Sequence, residues 1–211
     1  MAQLEKGILG DLRGSAGNVT GSRWKKTKYI RVKQGKRTGK PSEKQVANMA
    51  KFSLVGKFIR AMKKVFRIGF KGYSEDITQH NYAFAYTIEK AVTGTYPDFE
   101  LIYPKVLVAQ GSLTNAESPS AFADGRGKIT FKWTDNSDDG TANPQDKAIL
   151  VAYCEELNQC AYKAPAAGRE TGEDSLKASA FSGKKAQTWI SFLSAEGEIA
   201  TSIFTGVVDV V

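Results

Sequence analysis

Between Leu54 and Phe66 the apolar positions fall on one side of a helical wheel. Plotted at about 100° per residue, Leu54, Val55, Phe58, Ile59, Met62, Val65 and Phe66 share an arc of about 140°. Lys57, Arg60, Lys63, Lys64 and Arg67 take the opposite side, so the spacing predicts a basic amphipathic helix. Its start is marked by Pro41 and by Ser42 as a capping residue, with Glu43 in the first turn where the helix dipole favours a carboxylate. Val46, Met49 and Phe52 point elsewhere on the wheel. Either the helix breaks near Ser53 or its two ends pack on different partners. A shorter helix is predicted over 79–92, with Ala83, Phe84, Ala91 and Val92 among its apolar residues, ended by Gly94 and Pro97.

Beyond that point the period changes from helical to two. Strand signals cover 101–113, 128–135, 147–155, 159–165, 174–183, 186–195 and 198–211, separated by clusters of Asp, Asn, Gly and Ser. In KITFKWTD, Ile129, Phe131 and Trp133 share one face; in TWISFLSA, Trp189, Ser191, Leu193 and Ala195 oppose Ile190, Phe192 and Ser194. Six or seven such strands in about 105 residues suit an antiparallel sandwich. The expected fold is mainly β with α. An immunoglobulin/fibronectin-like β-sandwich over 104–211 follows a basic glycine-rich arm or hairpin over 1–40 and a helical segment over 41–103.

Charge changes the picture of the arm. Residues 1–71 hold 19 Lys/Arg against 3 Asp/Glu, whereas 72–211 hold 11 against 19, so the formal +8 is a difference between opposite halves. A segment so basic repels itself and calls for anionic company. Gly7, Gly10, Gly14, Gly17 and Gly21 recur at intervals of three and four, which lines one helix face with hydrogens or, more simply, reads as a string of turns. No GxxxxGK[ST] or GxGxxG pattern accompanies them. Next come Arg23, Trp24, Lys25, Lys26, Lys28, Tyr29, Arg31, Lys33, Lys36 and Arg37, with Ile30 and Val32 alternating as in a strand. Cations for phosphates and aromatics for stacking are what a nucleic-acid contact uses; a solvated edge strand uses the same residue types to stay unpaired. The basic helix also has a membrane-surface reading, with Phe58 and Phe66 inserting, against the blander one in which its apolar arc packs at home. The start of the chain lacks the pattern of a secretory signal and no apolar run is long enough to span a bilayer. The expected location is the cytoplasm or a virion assembled there.

Candidate chemistry is sparse. From Asp135 to Asp146, oxygen side chains at Asp135, Ser137, Asp139, Asn143 and Asp146 with glycine at Gly140 follow the spacing of a calcium loop. Flanking strands, Pro144 and a short final Asp favour a solvated turn instead. The expected cofactor is none, with calcium at Asp135, Ser137, Asp139 and Asp146 as the alternative. Cys154 and Cys160 read as reduced thiols on a strand pair, a hairpin disulfide being the alternative, and a single histidine, His80, leaves zinc without a ligand set. Glu155 and Glu156 are adjacent and diverge on a strand, and no nucleophile sits in a strained turn, so no enzyme is expected.

Trp133 in an early strand and Trp189 with Phe192 in a penultimate one resemble a fibronectin type III or immunoglobulin-like sandwich. The whole chain resembles an uncharacterised family of Bacteroidota proteins, a domain of unknown function. The likeness lies in GILGDLRGSAGNVTGSRWKKTKYIR, KFSLVGKF, RIGFKGY, ITFKWTDNSDDGTANPQDKAILVAYCEELNQCAY and IATSIFTGVVDV. Proteins of this sort occur among phage-related genes, which implies a virion role. The expected function is therefore structural: an assembly protein docked through its basic arm on other subunits, most concretely in a phage virion. DNA or RNA binding by the arm is the competing expectation.

Overall fold

The computed structural model describes residues 3–5, 11–24, 27–35, 39–72 and 77–211, in two compact units, Met1–Ser42 and Glu43–Val211. In the first, β1 (Gln3–Glu5), β2 (Asp11–Ala16), β3 (Val19–Trp24) and β4 (Thr27–Val32) pair antiparallel in chain order. The described glycines of this zone are thus neither a helix face nor a string of turns. Gly17 takes the two-residue loop between paired Ala16 and Val19 with φ +56°, a conformation glycine adopts without strain. Gly14 and Gly21 pair across β2 and β3, and a Cβ on Gly21 would stand 1.8 Å from the Leu12 carbonyl oxygen. Strands built on glycine show no apolar alternation, so the sequence suggests a hairpin here without fixing its strands or register. Gly7 and Gly10 lie outside the described residues.

The second unit opens with α1 (Glu43–Ala61), which runs unbroken through Ser53. The expected break is displaced to Met62 (φ −91°, ψ 4°), where α2 (Lys63–Gly69) begins. Val55, Phe58, Ile59, Met62, Val65 and Phe66 are all buried, and Lys57, Arg60, Lys63, Lys64 and Arg67 are exposed, as the wheel predicts. The early half does face differently: Met49 and Phe52 are largely exposed, and the Phe52 ring lies 5.2 Å from that of Phe84. Phe84 belongs to α3 (Gln79–Lys90), capped by Thr78, whose hydroxyl accepts from the Asn81 amide at 3.3 Å. Gly94 and Pro97 do more than end this helix. They lie in a hairpin, β5 (Val92–Thr95) and β6 (Asp98–Leu101), absent from the sequence reading.

The sandwich comprises β7 (Glu117–Gly125), β8 (Lys128–Thr134), β9 (Lys147–Cys154), β10 (Gln159–Lys163), β11 (Glu173–Lys177), β12 (Lys184–Leu193) and β13 (Ile203–Val210). One sheet has the order β11-β8-β7 and the other β10-β9-β12-β13, all antiparallel. This is an immunoglobulin-related arrangement whose fourth strand sits beside the third. Two strand expectations fail. Segment 101–113 holds the end of β6, a 3-10 turn at Tyr103–Lys105 and an extended run whose Val108 and Ala109 amides donate to the Ser202 hydroxyl at 2.9 and 3.2 Å. Conversely β7 was missed. Its inward positions are alanines, Pro119 interrupts it, Ser118 has φ +45°, and the register shifts twice, so it carries no β-branched signal.

Packing is three layers deep. Between the sheets lie Ile129, Phe131, Trp133, Leu150, Ile190 and Phe192. On the far side of the four-stranded sheet, Ile149, Val151, Tyr153 and Trp189 pack against Phe58, Phe66, Phe70 and Tyr103 from the helical region. The Phe58 and Tyr153 rings meet edge to face at 4.9 Å. Strands β9 and β12 are therefore buried on both faces, which the unbroken run AILVAYC requires. The helical arc is spent inside the unit: Phe58 and Phe66 are 1% and 0% exposed, so the membrane reading loses its inserting residues. No described helix is long and apolar enough to cross a membrane.

Cys154 faces the inter-sheet core and Cys160 the helical side, both as free thiols, so the hairpin disulfide is excluded by the strand pleat. Burial pushes the Cys160 thiol up to about 12, and burial, with Glu155 adding to it, pushes Tyr153 up to about 12. Tyr103 is raised by burial and by Glu155 as well. Each group's folded pKa lies above its ordinary value of 9.0 (Cys) or 10.0 (Tyr), so its contribution is complete below pH 9 and is lost as pH rises, towards 12 for Cys160 and Tyr153 and higher still for Tyr103. Near-ultraviolet dichroism should stay flat up to about pH 9 and collapse between about 9 and 12, together with a step in tyrosinate absorbance. A native spectrum persisting after all tyrosines had ionised would contradict this burial.

Candidate interaction surface on the N-terminal sheet

The antiparallel register sorts the side chains of β2, β3 and β4 onto two faces, because directly paired residues point the same way. Val19 pairs with Val32, Gly21 with Ile30 and Arg23 with Lys28, placing these on one face with Leu12 and Ala16. Thr20 pairs with Arg31, Ser22 with Tyr29 and Trp24 with Thr27, placing those on the other with Arg13 and Ser15. The hydroxyls of Ser15 and Thr20 meet at 2.9 Å on that face. One side is apolar with a basic edge; the other is hydroxylic, aromatic and basic.

The sites singled out from sequence are thereby divided. Trp24, Tyr29 and Arg31 stay together, whereas Arg23 and Lys28 stand on the reverse face beside Ile30. Lys33 follows β4, its amide donating to the Asn18 carbonyl at 2.7 Å. Lys25, Lys26, Lys36 and Arg37 lie outside the described residues. Both faces are open: Trp24 is 57% and Ile30 65% exposed. A concavity of about 470 Å³ at the paired glycines is lined from both sets of side chains, by Leu12, Arg23, Lys28 and Ile30 and by Arg13, Ser22 and Tyr29.

The acidic loop of the sandwich is organised around a residue the sequence reading passed over. Arg169 is fully buried; its Nη2 lies 3.2 Å from Asp146 Oδ2 and donates to the Thr114 carbonyl at 2.9 Å. Nη1 donates to the Asn115 carbonyl at 3.2 Å and to Asn136 Oδ1 at 2.7 Å, and the guanidinium stacks 3.9 Å from the centre of the Phe192 ring. Burial lowers the Arg169 pKa, against the opposing pull of Asp146. The residues considered for calcium have protein partners of their own. Asp146 is turned inward to Arg169 and to the Asn143 amide, Asp135 accepts from Ser137 at both its amide and hydroxyl, and the Asp139 carbonyl accepts from Thr114. Among the described residues no group of three or more His, Cys, Asp and Glu is arranged to hold a metal. An arginine within GRETGE reads as a surface turn, so only Asp146 at the loop's end hinted at a buried cation.

Other reactive groups are scattered. His80 sits on the first turn of α3, partly buried, with Nδ1 shielded and, among the described residues, without a hydrogen-bond partner. Glu156 pairs with Lys184, and Glu155 neighbours Tyr103.

Comparison with known families matches residues 11–206 to a family of unknown function, DUF6266. The chain belongs to that family. The match runs from β2 of the first unit to within β13 of the second, so it covers most of both units. No curated protein matches the chain.

Proposed function

We propose that this member of the family is a non-enzymatic assembly protein that docks through its N-terminal sheet on an acidic protein subunit of a larger complex. A virion is the most concrete setting. The observation that carries the reading is the uncovered apolar face of that sheet: Ile30 and Val32 stay 65% and 64% exposed. A single-layer sheet needs its apolar face buried to hold together, and a partner supplies what the layer lacks. Charge selects the partner. Residues 1–42 hold 11 Lys/Arg and 2 Asp/Glu, so a second copy repels and an acidic face attracts. Arg23 and Lys28 at the edge of the apolar patch fit a polar rim around an apolar centre.

A second reading rests on the reverse face. Trp24 and Tyr29, side by side with Arg31, would suit bases stacked along a single strand. Site-specific photo-crosslinking in producing cells separates the two. A crosslinker replacing Ile30 is expected to yield a protein adduct whose linked peptide is acidic around an apolar centre. Arg23→Glu/Lys28→Glu should abolish that adduct. Adducts to nucleic acid at position 30 or 29, or none above a crosslinker placed at Lys177, would overturn the docking proposal.

A further inference from the structure

We propose that the junction of α1 and α2 carries a second and separate site, which binds the phosphodiester backbone of a nucleic acid without regard to sequence. Here a groove of about 470 Å³ runs between the helices and the β9–β10 turn, lined by Arg60, Lys63 and Lys64 on one wall and Asn158, Gln159 and Tyr162 on the other. Met62 is drawn fully into the core between α1 and α2, and Arg60, Lys63 and Lys64, three and four residues apart, fall together on the exposed side. Arg60 is anchored by Nε donating to the Gly56 carbonyl at 3.0 Å, which leaves its terminal nitrogens for an anion. Lys57 and Arg67 extend the same exposed face, and at about 1.5 Å per residue these cations cover roughly 15 Å. Among the described residues no carboxylate pairs with Lys57, Lys63, Lys64 or Arg67.

Three kinds of anionic partner are conceivable, and the side chains favour one. A membrane surface needs an apolar face to insert, and here Phe58, Ile59, Met62, Val65 and Phe66 are all committed to the core. An acidic protein would need well-exposed apolar or aromatic anchors at the centre of its contact, whereas Val65 is buried, Ala61, Cys160 and Tyr162 are half-buried, and the exposed side chains of the groove are Arg60, Lys63, Lys64, Asn158 and Gln159. A phosphate backbone needs neither: it is met by Lys and Arg with amide and hydroxyl donors beside them, which Arg60, Lys63, Lys64, Asn158, Gln159 and Tyr162 supply here alongside Ala61, Val65 and Cys160 in the lining. The site shares no residue with the N-terminal sheet, so it stands or falls apart from the docking proposal.

The test uses the full chain and a fluorescent 20-base-pair duplex of arbitrary sequence, with anisotropy followed from about 50 to 200 mM salt. Two lysines withdrawn from phosphates should flatten the slope of log K against log salt by about 2. Lys63→Gln/Lys64→Gln is expected to do this and to weaken binding at every salt concentration. Lys128→Gln/Lys177→Gln, which removes the same charge from the outer face of the three-stranded sheet, should change the slope far less. Equal slopes for the two double variants would overturn the site. So would competition by polyglutamate or phosphatidylserine vesicles as strong as that by unlabelled duplex. Both lysines are exposed, and an unchanged dichroism spectrum confirms that each variant is folded.

Discussion

Replacing Arg169 with alanine is expected to destabilise the Glu43–Val211 unit by about 3–5 kcal/mol, lowering its melting temperature by roughly 6–20 °C. The guanidinium is fully buried and is the cation that faces Asp146, itself 2% exposed. Its loss strands a carboxylate away from water, removes the donors to the Thr114 and Asn115 carbonyls and to Asn136, and opens a gap over the Phe192 ring. Backbone bonds from the same turn spread the effect. The Arg169 carbonyl accepts from Trp133 Nε1 at 2.8 Å, and its amide donates to the Asp146 carbonyl at 2.8 Å. The strength of the network lies in its completeness, and a buried ion pair is worth little beyond that. Arg169→Met/Asp146→Leu should accordingly recover much of the stability lost in Arg169→Ala, because no charge is left without its partner. Thermal denaturation of the three proteins checks this. A loss below about 1 kcal/mol for Arg169→Ala would mean that water reaches the site.

What the chain reveals of its own fold depends on whether burial leaves a periodic trace. Strand β8 alternates Ile129, Phe131 and Trp133 with Lys128, Thr130 and Lys132 because one face meets the core and the other water. The α1–α2 arc is equally plain, since a helix lying on a sheet needs one apolar side. The run AILVAYC and the pair Trp189 and Ile190 carried a further message: strands apolar on both faces must be covered on both, which is where the helices go. Elements made of small residues leave no such trace. In β2, β3 and β7 glycine, serine and alanine occupy the positions that alternation would need, and backbone pairing alone defines them. Arg169 was illegible for a different reason. Its partners are separated from it by up to 55 residues in sequence and come together only when the loop closes.

The candidate surface was legible as composition and not as geometry. Cations interleaved with aromatics between Arg23 and Lys33 marked the segment, yet pairing in register divides them, so the aromatics and the Arg23–Lys28 pair face opposite ways. The apolar face could not be seen in advance, because Leu12, Val19, Ile30 and Val32 meet only through two hairpins.

Amide hydrogen exchange of the isolated chain bears most directly on whether that sheet needs company. Ladders of β9 and β12 are buried on both sides and should open only with global unfolding, whereas those of β3 and β4 lie in a layer whose apolar face is bare. Protection in 19–32 is expected to be at least about 10³-fold below that in 147–154 and 184–193. Comparable protection in both regions of the lone chain would show a self-sufficient sheet, and the case for an acidic docking partner would be contradicted.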